Sequence, residues 1–389
     1  QLGTSFIQST TKNGERVSSN NAYLYPIRNR TNLHVIRNAQ VTKILLNRDT
    51  KRATGVQYYA SNRYQKARAR REVILSAGTI GSSQLLMLSG IGPAKHLRQK
   101  GIQPVVNLAV GYNLQDHVAA GALTFLVNRT RTLISERIFT LEHFMEYEHK
   151  HTGMIASIGA CEALSFHDTT QNGSTAGGDG WADLELLLIG GTHAADRTYE
   201  NNFNYKPDTF NTLFADIERR GQEGYTIFPM VLRPRSKGRI RLSSADPFQY
   251  PIIQPNYFDD PYDLEMSVRG IRKAIELTKT KALRSYNARL LTIPIPGCEQ
   301  FRFDTDDYWK CFTRHVSYTI YHHVGTCKMG PASDRMAVVD PRLRVHGIAG
   351  LRVIDASIMP NVPAGHTNGP TIMIGEKGAD MIKEDWKIK

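Results

Sequence analysis

Two histidine-bearing segments near the end of the sequence have residue types that suit acid–base chemistry. Residues 321–330 (YHHVGTCKMG) place His322 beside His323, and His366 follows in a stretch rich in glycine and proline. An imidazole titrates near neutrality, so histidine is the most common general base in enzymes. If the two loops meet in one pocket, His322 and His366 would face the same substrate. The chain has 13 histidines, however, and spacing alone does not distinguish these from surface or core histidines.

A metal site is the competing interpretation of the same histidines. His322, His323 and His366 could in principle be three ligands, but adjacent histidines in an extended segment rarely point at one ion, and no suitably spaced carboxylate accompanies them. The four cysteines form no C-x-x-C pair, which argues against a zinc site. We therefore expect no metal centre.

Four motifs in order connect this sequence to a known family. They are SAGTIGSSQLLMLSGIGP at residues 76–93, YHHVGTCKMG at 321–330, LRVIDASIMP at 351–360 and GHTNGPTIMIGEKGADMI at 365–382. Together they resemble the signatures of the glucose–methanol–choline (GMC) flavin oxidoreductases, in particular the insect glucose-dehydrogenase-like branch. A further phrase at 113–117, N-L-Q-D-H, is also found in that family.

The resemblance implies a fold of the α/β plus α+β type. In that fold, a Rossmann-type FAD-binding domain is interleaved with a substrate-binding domain built on an antiparallel sheet. The expected segments are 1–29 for the substrate domain, 30–96 for the FAD domain, 97–335 for the substrate-binding cap, and 336–389 for the FAD domain with its C-terminal helix. No G-x-G-x-x-G phosphate loop occurs in the sequence. We therefore expect the FAD-side sheet to be incomplete and this stretch alone to bind FAD weakly or not at all.

The resemblance also implies the cofactor and the site. FAD is the expected cofactor, with His322 as the general base and His366 holding the substrate oxygen. The family usually has proline at the position of His323, which leaves open which adjacent histidine faces the flavin. The positions that match the family's cofactor contacts are Val41, Ala77, Gly78, Asp355, Ala356, Thr367, Asn368 and Thr371.

The activity implied is that of an FAD-dependent alcohol or glucose dehydrogenase or oxidase. It would oxidise a CH–OH group of a sugar or other alcohol by hydride transfer to the flavin, and pass the electrons to a quinone or to oxygen. The alternative is a truncated or processed fragment, or a pseudoenzyme, that binds a partner and no FAD.

Local patterns predict several elements around these motifs. The polar turn at 49–52 between two apolar runs predicts a hairpin, and the apolar run 72–77 predicts a parallel strand buried on both faces. A helix is expected from Gly81, capped by Ser82 or Ser83 and ended by Gly90. The last helix is expected at about 371–383. Residues 169–180 (TTQNGSTAGGDG) read as an exposed loop.

Composition limits the partners. The chain is 41% hydrophobic and 22% charged, and no apolar run reaches the ~20 residues needed to cross a bilayer. The net charge of +13 is concentrated partly in basic clusters at 63–71 and 233–241. These clusters interleave basic with small or apolar residues and lack a nucleic-acid motif, so we interpret them as solvated strand faces and expect no nucleic-acid partner.

The compartment is inferred from sequons and cysteines. N-x-S/T triplets occur at Asn29, Asn128 and Asn172, and with the family resemblance they favour a secreted glycoprotein. Because secreted proteins oxidise nearby thiols, we predict a disulfide between Cys298 and Cys311. Two buried free thiols are the alternative.

Overall fold

The computed structural model describes residues 2–130, 132–169 and 180–388. These residues form two compact units. Unit 1 contains 1–34, 118–232 and 261–319, and unit 2 contains 35–117, 233–260 and 320–389. The predicted segments differ from these limits. Residues 97–117, 233–260 and 320–335 belong to unit 2 and not with the bulk of the expected cap, and 30–34 belong to unit 1 and not with 35–96. The assignment of the segments to cofactor and substrate stays a prediction.

The strands, in chain order, are β1 (Gly3–Phe6), β2 (Thr11–Lys12), β3 (Glu15–Arg16), β4 (Gln40–Asn47), β5 (Arg52–Ala60), β6 (Arg63–Arg68), β7 (Val73–Leu75), β8 (Tyr112–Leu114), β9 (Val118–Ala120), β10 (Thr124–Leu126), β11 (Cys161–His167), β12 (Leu184–Ile189), β13 (Gly224–Val231), β14 (Gly238–Arg241), β15 (Ile252–Gln254), β16 (Arg289–Leu290), β17 (Ser317–Thr319) and β18 (Leu351–Val353).

The α-helices are α1 (Gly78–Leu88), α2 (Ala94–Gln99), α3 (Ser135–Ile138), α4 (Leu141–Lys150), α5 (Thr198–Asn202), α6 (Pro207–Arg220), α7 (Pro261–Leu277), α8 (Lys281–Arg284), α9 (Asp306–His315) and α10 (Asn368–Trp386). Short 3-10 helices lie at Tyr25–Ile27, Met154–Ala156, His193–Ala195 and Ala356–Ile358, and a π-helical turn at Asn20–Leu24.

Unit 1 is built on an antiparallel sheet of eight strands. The order is β1-β11-β12-β13-β10-β16, with β9 pairing both β13 and β17. Every residue of β13 is buried, because helix α7 packs on this strand. Aromatic side chains fill the core beside the sheet, and Phe125, Phe214 and Trp309 are almost completely buried.

Unit 2 contains three smaller sheets. Strands β4, β5 and β6 form one antiparallel sheet, and β8, β14 and β15 form a second. The predicted hairpin is confirmed, since β4 and β5 pair antiparallel on either side of the polar turn. The third sheet pairs β7 with β18 in parallel. Buried residues around α1, including Leu86, Met87 and Val353, form the core of this unit.

Three local predictions in unit 2 are corrected by the structure. Helix α1 begins at Gly78, not Gly81, and neither Ser82 nor Ser83 is its N-cap. The Gly78 N–H instead donates to a carboxylate oxygen of Asp355 (3.0 Å), a cap supplied from a distant part of the sequence. Strand β7 is not buried on both faces, because Ile74 is 38% exposed. Helix α10 begins at Asn368, three residues before the predicted start, and extends to Trp386.

The remaining predictions have mixed outcomes. The disulfide between Cys298 and Cys311 is confirmed, and Cys161 and Cys327 are free thiols. Strand β6, in the first basic cluster, is almost wholly exposed, as expected of a solvated face. The same interpretation of the second cluster is wrong for β14, where Gly238 and Ile240 are buried and Arg239 and Arg241 are half-buried. Among the described residues, no helix is both long and apolar enough to cross a membrane. Most of the predicted loop at 169–180, with Asn172, lies outside the described residues.

Candidate active site

His322 lies in unit 2 among three other histidines, and we call His117, His322, His323 and His366 the histidine cluster. The rings of His322 and His366 meet edge to face with centroids 4.8 Å apart. His117, from the segment at 113–117, contacts the same ring, with its Nδ1 2.9 Å from Nδ1 of His322. The structure therefore brings together the two histidines that the sequence singled out, and adds a third.

Burial determines the protonation state of His322. The residue is 8% exposed, and burial, followed by the neighbouring rings of His117, His366 and His323, lowers its pKa to about 3. Desolvation disfavours the charged imidazolium, so the ring is neutral at physiological pH. A neutral imidazole has one nitrogen with a free lone pair, which is the form that a general base requires.

Asp116 fixes the segment that carries His322. Its carboxylate Oδ1 accepts the His322 backbone N–H at 2.9 Å, while Oδ2 accepts the hydroxyl of Tyr257. Nε2 of His323 lies 3.3 Å from the same Oδ2. A buried carboxylate with several partners holds each of them in a narrow range of positions, so Asp116 positions both adjacent histidines at once.

The segment just before Asp116 braces the loop from the other side. The backbones of Gln115 and Val324 exchange hydrogen bonds of 3.1 and 2.9 Å. The Asn113 amide donates to the carbonyl oxygens of Gly325 (3.4 Å) and Pro360 (3.1 Å). Gly325 has φ +94°, and a Cβ there would lie 2.4 Å from the Asn113 carbonyl oxygen. This close approach is the reason that glycine follows the histidines in the motif.

The first turn of helix α1 is hydrogen-bonded to the same loop. The Thr79 hydroxyl donates to the His323 carbonyl at 2.7 Å, and the Thr326 hydroxyl donates to the Thr79 carbonyl at 2.6 Å. The motif at 76–93 and the motif at 321–330 are therefore hydrogen-bonded to each other.

The predicted cofactor positions all lie in unit 2. Asp355 is buried, and its carboxylate accepts the Gly78 N–H (3.0 Å), the Ser82 hydroxyl (2.6 Å) and the Ser357 N–H (2.8 Å). That side chain therefore joins β18 to α1. Val41 is half-buried in β4, paired with Tyr58 of β5.

The other predicted cofactor positions lie at two helix starts. Ala77 is exposed beside the start of α1, and Ala356 is half-buried in the 3-10 helix after β18. Thr367, Asn368 and Thr371 belong to the first turns of α10, where Thr367 is buried and Asn368 exposed. Thr371 donates its hydroxyl to the Thr367 carbonyl at 2.7 Å.

A Cβ built on Gly78, Gly365, Gly369 or Gly375 would meet no atom within 4 Å. The surface at both helix starts is therefore open, and helix N-termini present N–H groups that lack partners within the helix.

The metal interpretation does not fit the directions of the rings. His322 directs Nδ1 at His117, and His323 directs Nε2 at Asp116. In the part of the chain that the structure describes, the group with ligand atoms close enough for an ion is Cys298, Cys311 and His315. The two cysteines of that group are bonded to each other.

The sequence prediction assigned no role to the segment 113–117. Asn113, Gln115, Asp116 and His117 are all buried, and each is bonded to the loop of His322 or to the segment at 360–362. The signal was available, since four polar residues lie within five positions between apolar neighbours. Buried polar side chains must find partners, and here the partners are the loop of His322 and the segment at 360–362.

Comparison with known families covers both ends of this chain. Models of the GMC oxidoreductase family match residues 1–119 and residues 234–375. The matched ranges contain the three segments of unit 2 almost completely, and with them the whole histidine cluster.

Two curated relatives are similar over nearly all of the chain. Glucose dehydrogenase [FAD, quinone] of Drosophila pseudoobscura pseudoobscura is 38% identical over 404 residues, which cover 100% of this chain and 59% of the relative. Alcohol dehydrogenase [acceptor] of Pseudomonas putida is 36% identical over 389 residues, covering 98% of this chain and 64% of the relative. The chain thus spans about three fifths of the length of such relatives.

The solved structures agree with the sequence comparison. A variant of Aspergillus oryzae formate oxidase superposes with a TM-score of 0.80 at 26% identity, covering 99% of this chain and 66% of that chain. The predicted fold class is confirmed by this likeness and by the antiparallel sheet of unit 1. On the family models, the relatives and the fold, the chain belongs to the GMC oxidoreductase family.

Proposed function

We propose that this chain carries the active-site histidines of an FAD-dependent oxidoreductase that converts an alcohol CH–OH group into C=O. One observation supports this above all others. A buried His322, neutral because its pKa is lowered to about 3, faces His366 with ring centroids 4.8 Å apart. A neutral base beside a second imidazole can accept a hydroxyl proton while the second ring holds the same oxygen.

The residues present fit a flavin. The first turns of α10 are open to solvent, as shown by the space beside Gly369 and Gly375, whereas a Cβ on Gly378 would lie 2.6 Å from Ile354. The helix is thus packed only further along, and its positive N-terminal end is left for an anionic or electron-rich group. The residues that would hold FAD are those at Val41, Ala77–Gly78, Asp355–Ala356 and the start of α10.

The chain's own groups then perform the proton chemistry. His322 accepts the hydroxyl proton of the substrate, while the hydrogen on the same carbon leaves with its electron pair. FAD, when bound, supplies the two-electron acceptor for that hydrogen. His366 donates a hydrogen bond to the substrate oxygen as negative charge develops on it. Asp116 holds the His322 backbone and so keeps the base in place.

The proposed substrate class is a sugar or another alcohol, and the proposed acceptor is a quinone. These inferences rest on the relatives: the Drosophila protein is named a glucose dehydrogenase with FAD and quinone, and the Pseudomonas protein an alcohol dehydrogenase. These substrates have in common the C–OH group that reacts. A site whose described polar groups are imidazoles that can contact a C–OH group agrees with this range of substrates.

The test uses the FAD-loaded full-length protein, since this stretch alone is expected to bind FAD weakly or not at all. It is mixed anaerobically with candidate sugars and alcohols, with flavin absorbance as the signal. We expect bleaching by at least one donor, and slower bleaching when deuterium replaces the hydrogen on the carbinol carbon. Protein that holds FAD and is bleached by none of a broad donor panel would contradict the proposed alcohol oxidation, whereas full-length protein that retains no FAD would support the non-catalytic alternative.

We also propose that the protein matures in an oxidising compartment. The Cys298–Cys311 disulfide and the exposed positions of the Asn29 and Asn128 sequons support this. Protein from its native source should lose mass on treatment with an N-glycosidase. If the peptides that contain Asn29 and Asn128 keep the same mass after the treatment, the glycoprotein proposal is contradicted.

A further inference from the structure

His117 is a buried imidazole in contact with the proposed base. It lies between β8 and β9 and is 0% exposed. Its ring stands at 80° to the ring of His322, with centroids 5.1 Å apart, and the two Nδ1 atoms are separated by 2.9 Å. This is the distance of a hydrogen bond, so one ring donates and the other accepts.

The backbone holds the two rings together. The His322 N–H donates to the Asp116 carboxylate at 2.9 Å, and the Ile320 N–H donates to the His117 carbonyl at 3.1 Å. The segments 116–117 and 320–322 are thus bonded on both sides of the imidazole pair. The contact between the rings is therefore built into the fold of unit 2.

The direction of this hydrogen bond determines what His322 can do. A neutral imidazole has a proton on one nitrogen and a lone pair on the other. If His117 donates, the proton of His322 is on Nε2, and His322 has no free lone pair for substrate. If His322 donates through Nδ1–H, its Nε2 carries the lone pair. Since Nδ1 is occupied by His117, Nε2 is the nitrogen left for a substrate hydroxyl.

We propose that His117 is a positioning residue that accepts the Nδ1–H of His322 and so holds Nε2 of His322 ready to accept the substrate proton. This inference rests on the proposed alcohol oxidation and names a further residue that it requires. A partner that fixes the tautomer of a catalytic histidine is a general requirement of base catalysis, and replacing such a partner by one that favours the wrong tautomer lowers rates by as much as about 10,000-fold.

The pair also accommodates the proton after transfer. When the substrate hydroxyl proton arrives on Nε2, His322 becomes an imidazolium with both nitrogens protonated. Its Nδ1–H then makes a charge-assisted hydrogen bond to His117, or passes to it, and the two rings together carry one added proton. Asp116, Tyr257, His323 and His366 are the other titratable groups that face this pair.

Two variants of equal size separate an acceptor from a space-filling group. In His117→Asn the amide oxygen can still accept the Nδ1–H, whereas His117→Leu has no acceptor. We expect His117→Leu to slow flavin reduction about 100-fold and His117→Asn to recover most of that loss. The acid limb of the pH profile should move only in the leucine variant. His96→Leu, which removes another buried imidazole of unit 2, is the control and should leave the rate unchanged.

Nitrogen NMR of the wild-type holoprotein with ¹⁵N-labelled histidine gives a readout that needs no turnover and does not depend on whether a variant folds. We expect His322 in the Nδ1–H form. His322 found in the Nε2–H form, or equal rates in the leucine and asparagine variants, would overturn the inference. If the protein oxidises no alcohol but His322 is in the Nδ1–H form, the proposed function fails while the hydrogen-bond assignment survives.

Discussion

Each of the two units contains a buried histidine whose pKa is lowered to about 3, His193 in unit 1 and His322 in unit 2. Burial is the main cause in both cases. Each also bonds through Nδ1, His193 to the Tyr205 hydroxyl at 2.8 Å and His322 to His117 at 2.9 Å. By titration alone the two would be equal candidates for a catalytic base.

Their neighbours distinguish them. Six aromatic rings lie within 6 Å of the ring of His193, centroid to centroid, and form an aromatic cluster in unit 1: Tyr199, Phe203, Tyr205, Phe214, Phe228 and Tyr318. Nε2 of His193 has no hydrogen-bond partner among the described residues, and only 1% of the residue is exposed. His322 instead lies among imidazoles and a carboxylate. A lowered pKa therefore reports burial, and only the surrounding groups show whether the buried group can act on a substrate.

The largest expected effect on stability comes from the disulfide of unit 1. Replacing both Cys298 and Cys311 by alanine should lower the free energy of unfolding by about 3 kcal/mol, because the unfolded chain loses a closed loop. Denaturant unfolding measures this, with Cys161→Ala as a control that removes a free thiol of the same unit. The rate of flavin reduction should stay unchanged in folded protein, because the histidine cluster lies in unit 2. A large loss of rate would mean that the proposed active site depends on the disulfide of unit 1.

Next in size is the loss of the carboxylate that holds the histidine cluster. Asp116→Asn should slow flavin reduction about 100-fold, since a displacement of the base by about 1 Å is enough for such a loss. The matched control is Asp183→Asn in unit 1, a buried carboxylate that accepts the backbone N–H and the hydroxyl of Thr169. Stopped-flow rates that fall equally in both variants would show that the effect is general destabilisation.

Both buried histidines, His193 and His322, should contribute to the pH dependence of the unfolding free energy. Each has a folded-state pKa below its unfolded value near 6.5, so the unfolded chain binds more protons as the pH falls. Stability from this source is complete above pH 6.5 and is lost below it, toward pH 3. Between pH 6.5 and 5, each histidine should account for roughly 2 kcal/mol of lost unfolding free energy.

The variant His193→Phe sharpens that prediction. A phenyl ring suits the aromatic cluster and does not titrate, so the variant should lose roughly 2 kcal/mol less than the wild type over the same pH range. Urea unfolding at the two pH values measures the difference. Parallel losses in variant and wild type would mean that His193 is not buried neutral.

A smaller effect than that of Asp116→Asn is expected at His366. Replacement by asparagine keeps a hydrogen-bond donor for the substrate oxygen, so flavin reduction should slow only about tenfold, as for one weakened hydrogen bond. His366→Ala removes the donor and should be slower than His366→Asn. An alanine variant as fast as the asparagine variant would remove His366 from the proposed mechanism.

The sequence predicted the elements that depend on local patterns. The β4–β5 hairpin follows from alternation around a polar turn, and the disulfide follows from two cysteines that flank a short polar stretch. The histidine pair His322 and His366 was found from residue type and family resemblance, and the structure places the two rings together.

What the sequence did not predict depends on contacts between distant segments. The cap of α1 is the Asp355 carboxylate, 277 positions from Gly78, so no local pattern marks it. His117 and Asp116 reach His322 across more than 200 positions. The exposure of Ile74 likewise depends on which elements pack against the two faces of β7, and the composition of that strand carries no such information.

The most direct test of the histidine cluster compares the two adjacent histidines. Anaerobic stopped-flow reduction of the FAD-loaded protein by its best alcohol should be measured for His322→Ala and His323→Ala, with His193→Phe as the control in unit 1. We predict that His322→Ala slows flavin reduction about 100- to 10,000-fold, as expected for loss of a general base, whereas His323→Ala has a small effect and His193→Phe none. Abolished reduction in His323→Ala with His322→Ala intact would contradict the assignment of the base, and an unchanged rate in both would contradict the role of the histidine cluster.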